Sequence, residues 1–382
     1  MQNELFAYLL VFLFVVLLTD FLRRQALLAG LVDQPDARKR HARPVPPVGG
    51  GAIFLGCLLA ALALNVPEDY VRILFPVGAA LVIMGAVDDH YDLPPRARLA
   101  VQALAALCTS VLGGATLTTA GDLMPGGGAL TLGVLAVPVT VLGTVGTINA
   151  FNMVDGMDGL SGALALVALV GFAVVAYAGG DSGLLTLALV LATGVLAFLT
   201  QNLRSPWRWR ASVFLGDAGS MFLGFAVSWF VIELSQGRAP AMSPVTGLWL
   251  LLVPLFDIAY VMGRRVARGR SPLAADRQHL HHFLLRIGLP VTRALAVIVS
   301  VAIVAAATGL AFELAGVADW VSLAAFLALF GLYCLGMTYA WRVHPRLVRW
   351  LARRQHANTT LPVMARAYLQ ASRYRDERLH TP

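Results

Sequence analysis

The 382-residue chain is 58% hydrophobic and 13% charged, with a mean hydropathy of +0.74, a composition that excludes a soluble domain and marks a polytopic membrane protein. Its net charge of +8 suits anionic lipid headgroups and phosphorylated substrates, and argues for no nucleic-acid partner in a chain this apolar. The three cysteines, Cys57, Cys108 and Cys334, each sit inside an apolar run and read as small buried hydrophobes, not as a disulfide framework or metal cluster.

Eleven apolar windows are long enough to cross roughly 30 Å of hydrocarbon. They cover 5–21, 50–66, 71–87, 97–113, 132–148, 160–178, 183–200, 221–234, 245–262, 295–312 and 321–341. With the N-terminus periplasmic, 27 of the 29 Lys/Arg fall on the cytoplasmic side and only Arg72 and Arg238 outside. The positive-inside rule therefore puts the C-terminus in the cytoplasm. The first window lacks a basic residue before it and has Arg23 and Arg24 after it, so it reads as an anchor, not a removed signal. The fold expected is all-α with eleven transmembrane helices, a single catalytic domain over 1–341, and a basic cytoplasmic tail over 342–382 that reads as a membrane-surface helix.

After the first window, residues 33–51 form a basic loop stiffened by four prolines and ending in three glycines. It holds Asp33 and Lys39, the only lysine, and reads either as a solvated positive loop or as one that contacts phosphate. The third window ends in Asp88 and Asp89, with Asp92 close behind. Two adjacent like charges at a membrane boundary repel unless a cation or proton separates them. Residues 113–131 read as a turn or hairpin without chemistry.

The central stretch from Asn149 to Gly162 packs Asn149, Asn152, Asp155 and Asp158 between two apolar runs, with Gly156, Gly159 and Gly162 baring the backbone. Such a cluster alone could be a polar turn, but ionised carboxylates there need a watery rim or a cation. Asp217 stands between two glycines at the start of the eighth helix, where alone it reads as a cap. In the ninth, Pro254 predicts a kink and Asp257 a buried partner for an arginine, with Arg265 following. Asp276 then precedes His279, His281 and His282. Three imidazoles in four residues suggest zinc, but no Cys or Glu stands at zinc-ligand spacing, which favours a structural role or binding of a phosphorylated substrate over that metal.

All of these polar residues fall on the cytoplasmic side. A transporter would place ionisable groups near the midplane; acids along one rim with bases around them suit a divalent ion joining carboxylates to phosphates. No Gly-x-x-x-x-Gly-Lys loop occurs, so any phosphate cradle must come from Arg, His and Lys39.

The motifs Asp33-Gln-Pro, Val87-Asp-Asp, Asn149-Ala-Phe-Asn-Met-Val-Asp-Gly-Met-Asp-Gly-Leu, Phe214-Leu-Gly-Asp-Ala-Gly-Ser and Asp276-Arg-Gln-His-Leu-His-His occur in that order. Together they resemble the polyprenyl-phosphate N-acetylhexosamine 1-phosphate transferases, and within them most nearly the WecA-like branch. The resemblance implies a multi-pass enzyme of the bacterial inner membrane that joins UDP-GlcNAc to undecaprenyl phosphate and starts an envelope glycan. It implies Mg²⁺, with Mn²⁺ able to substitute, held by Asp217 and Asn152, and Asp88 or Asp89 acting on the lipid phosphate. Asp155 and Asp158 would shape the nucleotide pocket, and Arg265, His279, His281 and His282 would hold the sugar diphosphate. Asp33, Lys39, Asn149 and Asp276 complete the implied substrate-binding set. Direct displacement and a covalent aspartyl intermediate both stay open, as do UDP-MurNAc-pentapeptide or UDP-GalNAc as donor, a non-catalytic lipid-intermediate transporter or scaffold, and a homodimer.

Overall fold

The computed structural model describes residues 2–32, 44–205, 208–271 and 278–355. Among these the regular structure is helical: α1 (Gln2–Ala29), α2 (Gly49–Ala63), α3 (Glu68–Tyr91), α4 (Pro95–Val111), a 3-10 turn (Gly133–Leu135), α5 (Ala136–Val154), α6 (Leu160–Ala178) and α7 (Ser182–Asn202) come first. Then follow α8 (Gly216–Gln236), α9 (Pro244–Leu250), α10 (Leu252–Val266), α11 (Leu280–Arg286), α12 (Val291–Leu314) and α13 (Asp319–Gln355). In the stretch after α4 expected to be a turn or hairpin, an isolated antiparallel bridge joins Thr119 and Thr131.

Eight of the helices are long and apolar enough to span a bilayer, and α9 with α10 makes a ninth if that bent pair counts as one. The remaining two expected spans correspond to α2 and α4, of 15 and 17 residues. At 1.5 Å per residue they reach only about 22–26 Å, short of a full hydrocarbon thickness.

The centre is α8, apolar all round, with 89% of its apolar stretch buried against only 17% for α1 and α13. Phe222, Phe225, Trp229 and Phe230 fill the space between it and its neighbours α2, α3, α5 and α6. Phe230 stacks on Phe172 of α6 at 5.4 Å between ring centroids. On α1, by contrast, Leu5, Phe6, Leu9, Leu13 and Leu17 stay exposed, as a lipid-facing helix requires.

The kink expected at Pro254 appears three residues earlier, as an 83° bend at Leu251 between α9 and α10. The reason is local: Pro254 has no N–H for the Leu250 carbonyl, and its ring crowds that oxygen, so the helix breaks in the preceding turn. The bend turns α10 against α5, beside the polar end of the bundle.

Candidate active site

The Leu-Pro-Pro sequence after α3 reverses the chain. Asp92 takes a left-handed cap at φ 50, Pro95 opens α4, and Arg98 is thereby brought back over the end of α3. Arg98 Nη1 donates to Asp88 Oδ2 at 2.8 Å and lies 3.8 Å from Asp217 Oδ2. The other Asp88 oxygen accepts from Leu93 N at 2.8 Å.

Asp89 has a different task. Its two oxygens accept the Asp217 N–H at 3.0 and 3.1 Å, so a residue of α3 satisfies a first-turn donor of α8 that its own chain leaves open. Asp217, read from sequence as that cap, instead accepts at Oδ1 from Asn152 Nδ2 at 2.6 Å, and Asn152 also donates to Ser220 Oγ at 3.0 Å. The N-terminus of α2 is tied in as well, Gly49 N to Phe214 O at 3.0 Å and Gly50 N to Leu215 O at 2.9 Å.

The loop between α5 and α6 completes this rim. Removal from water, then the charges of Asp217, Asp89 and Asp158, holds the Asp155 carboxyl well above the usual range. Asp158 is paired with Arg204 at 2.6 Å. Gly159 adopts φ +80, open to glycine at no steric cost, and donates its N–H to Asn202 Oδ1 at 2.6 Å while Asn202 Nδ2 donates to Val213 O at 2.8 Å. That one amide fastens the acidic loop to the end of α7 and to the segment entering α8.

The histidines close the other side. The His281 ring is 1% exposed and its Nε2 has no partner; a Cβ on Gly156 would lie 2.7 Å from that atom. His281 therefore faces the Asp155–Asp158 loop, with the His282 ring 4.1 Å away. Asp257, expected to serve an arginine, accepts from His279 Nδ1 at 2.7 Å instead, because the bend at Leu251 turns it toward α11.

Asp88, Asp89, Asn152, Asp155, Asp158, Asp217 and His281 thus gather at one end of the bundle. Asn149, one turn deeper on α5, donates to Gln102 Oε1 at 2.6 Å and Val145 O at 2.8 Å, and so links α5 to α4. Arg265 is buried in the last turn of α10. Asp33, Lys39 and Asp276 lie outside the described residues. Arg98, Arg204 and Ser220 join the site although the sequence did not single them out; for Arg98 the readable signal was a Pro-Pro reversal placing it opposite Asp88.

A second cavity, of about 310 Å³, lies at the start of α3 among Asp69, Tyr70, Asp181 and Arg238, about 28 Å along that helix from Asp88. Its polar groups already satisfy one another, Tyr70 with Asp181 at 2.7 Å and Asp69 with Arg238 at 2.6 Å.

Among the described residues no group of three or more His, Cys, Asp or Glu side chains is arranged to hold a metal by itself. Asp88 and Asp217 converge on a cationic guanidinium, the place a shared cation would take. This donor set fits an ion such as Mg²⁺ that uses one or two protein carboxylates and draws the rest of its shell from phosphate and water.

Comparison with known proteins covers the carboxylate rim. The model of the glycosyl transferase family 4 matches residues 71–235. The undecaprenyl-phosphate alpha-N-acetylglucosaminyl 1-phosphate transferase of Haemophilus influenzae is 37% identical over 85% of this chain and 90% of its own. Its namesake from Yersinia pestis is 36% identical over 94% and 97%, and that of Escherichia coli K12 34% identical over 91% and 94%. The chain belongs to the glycosyl transferase family 4. In this family member the matched stretch runs from α3 through α8 and contains the carboxylate rim, while the histidines lie beyond it, within the 94% of the chain shared with the Yersinia pestis relative.

The buried imidazole makes a testable mark on stability. Burial, then the neighbouring His282, pushes the His281 pKa down to about 3. Below about 6.5 the unfolded chain takes up a proton that the folded ring refuses, so stability is lost on acidification by about 1.4 kcal/mol per pH unit until pH approaches 3. Asp155, with its raised carboxyl, pulls the other way but is common to both proteins, so the Tm of detergent-solubilised wild type should fall relative to that of His281→Asn between pH 7 and pH 5. Equal slopes in the two proteins would mean that the ring is solvated.

Proposed function

We propose that the protein transfers GlcNAc 1-phosphate from UDP-GlcNAc to undecaprenyl phosphate, giving GlcNAc-diphospho-undecaprenol and UMP. The observation that carries this reading is the convergence of Asp88 and Asp217, from distant parts of the chain, on one cation at the end of the bundle, in a chain whose relatives bear the name of that activity. The 27 basic residues on the same side support a cytoplasmic site, eleven crossings with α2 and α4 as the short ones, and an inner-membrane location.

In the reaction an oxygen of the lipid phosphate attacks the β-phosphorus of the donor. The bond from that phosphorus to the bridging oxygen breaks, and UMP departs with the electron pair. A phosphate monoester with a second pKa near 6 is already mostly ionised at pH 7, so Asp88 and Arg98 orient the acceptor and need remove little proton. Both oxygens of Asp88 and of Asp89 are engaged, which favours direct attack over an aspartyl intermediate. Mg²⁺ held by Asp217, with Asn152 beside it, would neutralise the diphosphate and stabilise the departing UMP. Asp155 and Asp158 border the nucleotide, and Arg265, His279, His281 and His282 hold the sugar diphosphate. A groove of about 410 Å³ between α6, α7 and α12, lined by Leu166, Leu196, Leu199 and Leu295 and ending at the Asp158–Arg204 pair, offers the polyprenyl chain an apolar bed beside the site.

Purified protein should release UMP only when UDP-GlcNAc, undecaprenyl phosphate and Mg²⁺ are all present, and EDTA should stop it. Release with UDP-GalNAc or UDP-MurNAc-pentapeptide alone would move the donor assignment. No release with any of the three would favour a scaffold.

A further inference from the structure

Asp257 lies two turns past the bend, only 2% exposed, and two segments distant in sequence, at 279–280 and at 333, meet on its carboxylate. Oδ2 accepts from His279 Nδ1 at 2.7 Å. Oδ1 accepts from Leu280 N at 2.9 Å and from Tyr333 Oη of α13 at 3.0 Å. A buried carboxylate is costly unless its lone pairs are filled, and here three donors fill them.

The contacts divide between a ring and a helix. His279 precedes α11 and supplies no side-chain cap of its own; the bond from Leu280 N lets Asp257 provide that cap from another helix. With Nδ1 committed, His279 is fixed in rotation and Nε2 is the ring atom left to meet a ligand. Because α11 carries His281 and His282, fixing its first residue also sets where those rings point. His279 and His281 lie near parallel, 11° between planes at 5.7 Å, and His281 turns its unpartnered Nε2 toward Gly156.

We infer that Asp257 is a positioning residue that orients the histidine cluster toward the sugar diphosphate of the donor, with Tyr333 holding the carboxylate in place. This rests on the function proposed above. It touches no substrate; it acts through His279.

A double-mutant cycle on the full-length protein tests it, with kcat and KM for UDP-GlcNAc measured for Asp257→Asn, His279→Asn and the pair, and Tm measured alongside. Asp257→Asn is isosteric but cannot accept from all three donors. It should lower kcat/KM on the order of 10- to 100-fold, the loss seen when the partner orienting a functional imidazole is removed. The pair should be no worse than His279→Asn within about twofold, since the carboxylate then has no ring left to orient. Tyr333→Phe should show a smaller loss of the same kind. Penalties that multiply in the pair, or an Asp257→Asn protein as active as wild type, would overturn the inference while leaving the transferase reading intact. Wild-type protein that releases no UMP would sink that reading first, and this inference with it.

Discussion

Asp217→Asn should lower UMP release by at least about 10³-fold while leaving membrane insertion and Tm unchanged or slightly raised. The loss in rate follows from the role proposed for the carboxylate. Positioned charge that stabilises a transition state is worth about 10²–10³ in kcat where a single hydrogen-bond donor supplies it, and losing a metal's carboxylate removes more. The retained or improved stability follows from the geometry. Asp88 Oδ2 and Asp217 Oδ2 share one guanidinium, at 2.8 and 3.8 Å, while Asp89 sits on the Asp217 backbone. Without an ion these carboxylates repel. An asparagine keeps the shape and can still accept from Asn152 at Oδ1, but it removes one charge from the crowd. A variant that is dead yet at least as stable is the signature of a site strained for function. UMP release at the wild-type rate with an unchanged dependence on Mg²⁺ would show that Asp217 is not a ligand, and a fall in Tm of several degrees would show that its charge is structural.

The helical architecture and the grouping at the rim were legible because hydropathy and charge act at long range along a sequence. A carboxylate at a bilayer edge needs an explanation whatever its neighbours are, and so Asp88, Asp155 and Asp217 could be picked out without coordinates. Which carboxylate does what was not legible, because the answer depends on cross-helix hydrogen bonds. Asp217 occupies a first-turn position that suits a cap, yet the cap is Asp89, 128 residues earlier. Asp257 looked like a partner for the arginines that follow it in sequence, but the bend at Leu251 sends it to His279. Arg98 counted only as one more positive-inside residue until the Pro-Pro reversal laid it over Asp88. The length of α2 escaped for a related reason: the hydropathy window 50–66 runs on past Ala63, where the helix ends, because helix ends are set by local backbone bonds.

Gly85→Ala should cost activity and stability together, the opposite pattern to Asp217→Asn. Gly85 lies one turn before Asp88 on α3. A Cβ there would meet Ala218 N at 2.3 Å, Ala218 Cα at 2.4 Å and the Asp217 carbonyl carbon at 2.5 Å. All three are backbone atoms at the first turn of α8, so no side chain can swing aside. Relief requires α3 and α8 to move apart, and overpacking of this kind costs about 1–3 kcal/mol. The same movement stretches the bonds from Asp217 N to Asp89, already at 3.0 and 3.1 Å, and shifts Asp88 and Arg98 relative to Asp217. Since about 1 Å of misplacement at a reacting centre can cost 10²-fold in rate, UMP release should fall by about that factor. Gly143→Ala on α5 is the control: a Cβ there meets nothing within 4 Å, so both rate and Tm should hold. A Gly85→Ala protein matching that control in both measurements would mean that α3 and α8 do not approach as closely as this, and with that contact would go the common site of Asp88, Asp89 and Asp217.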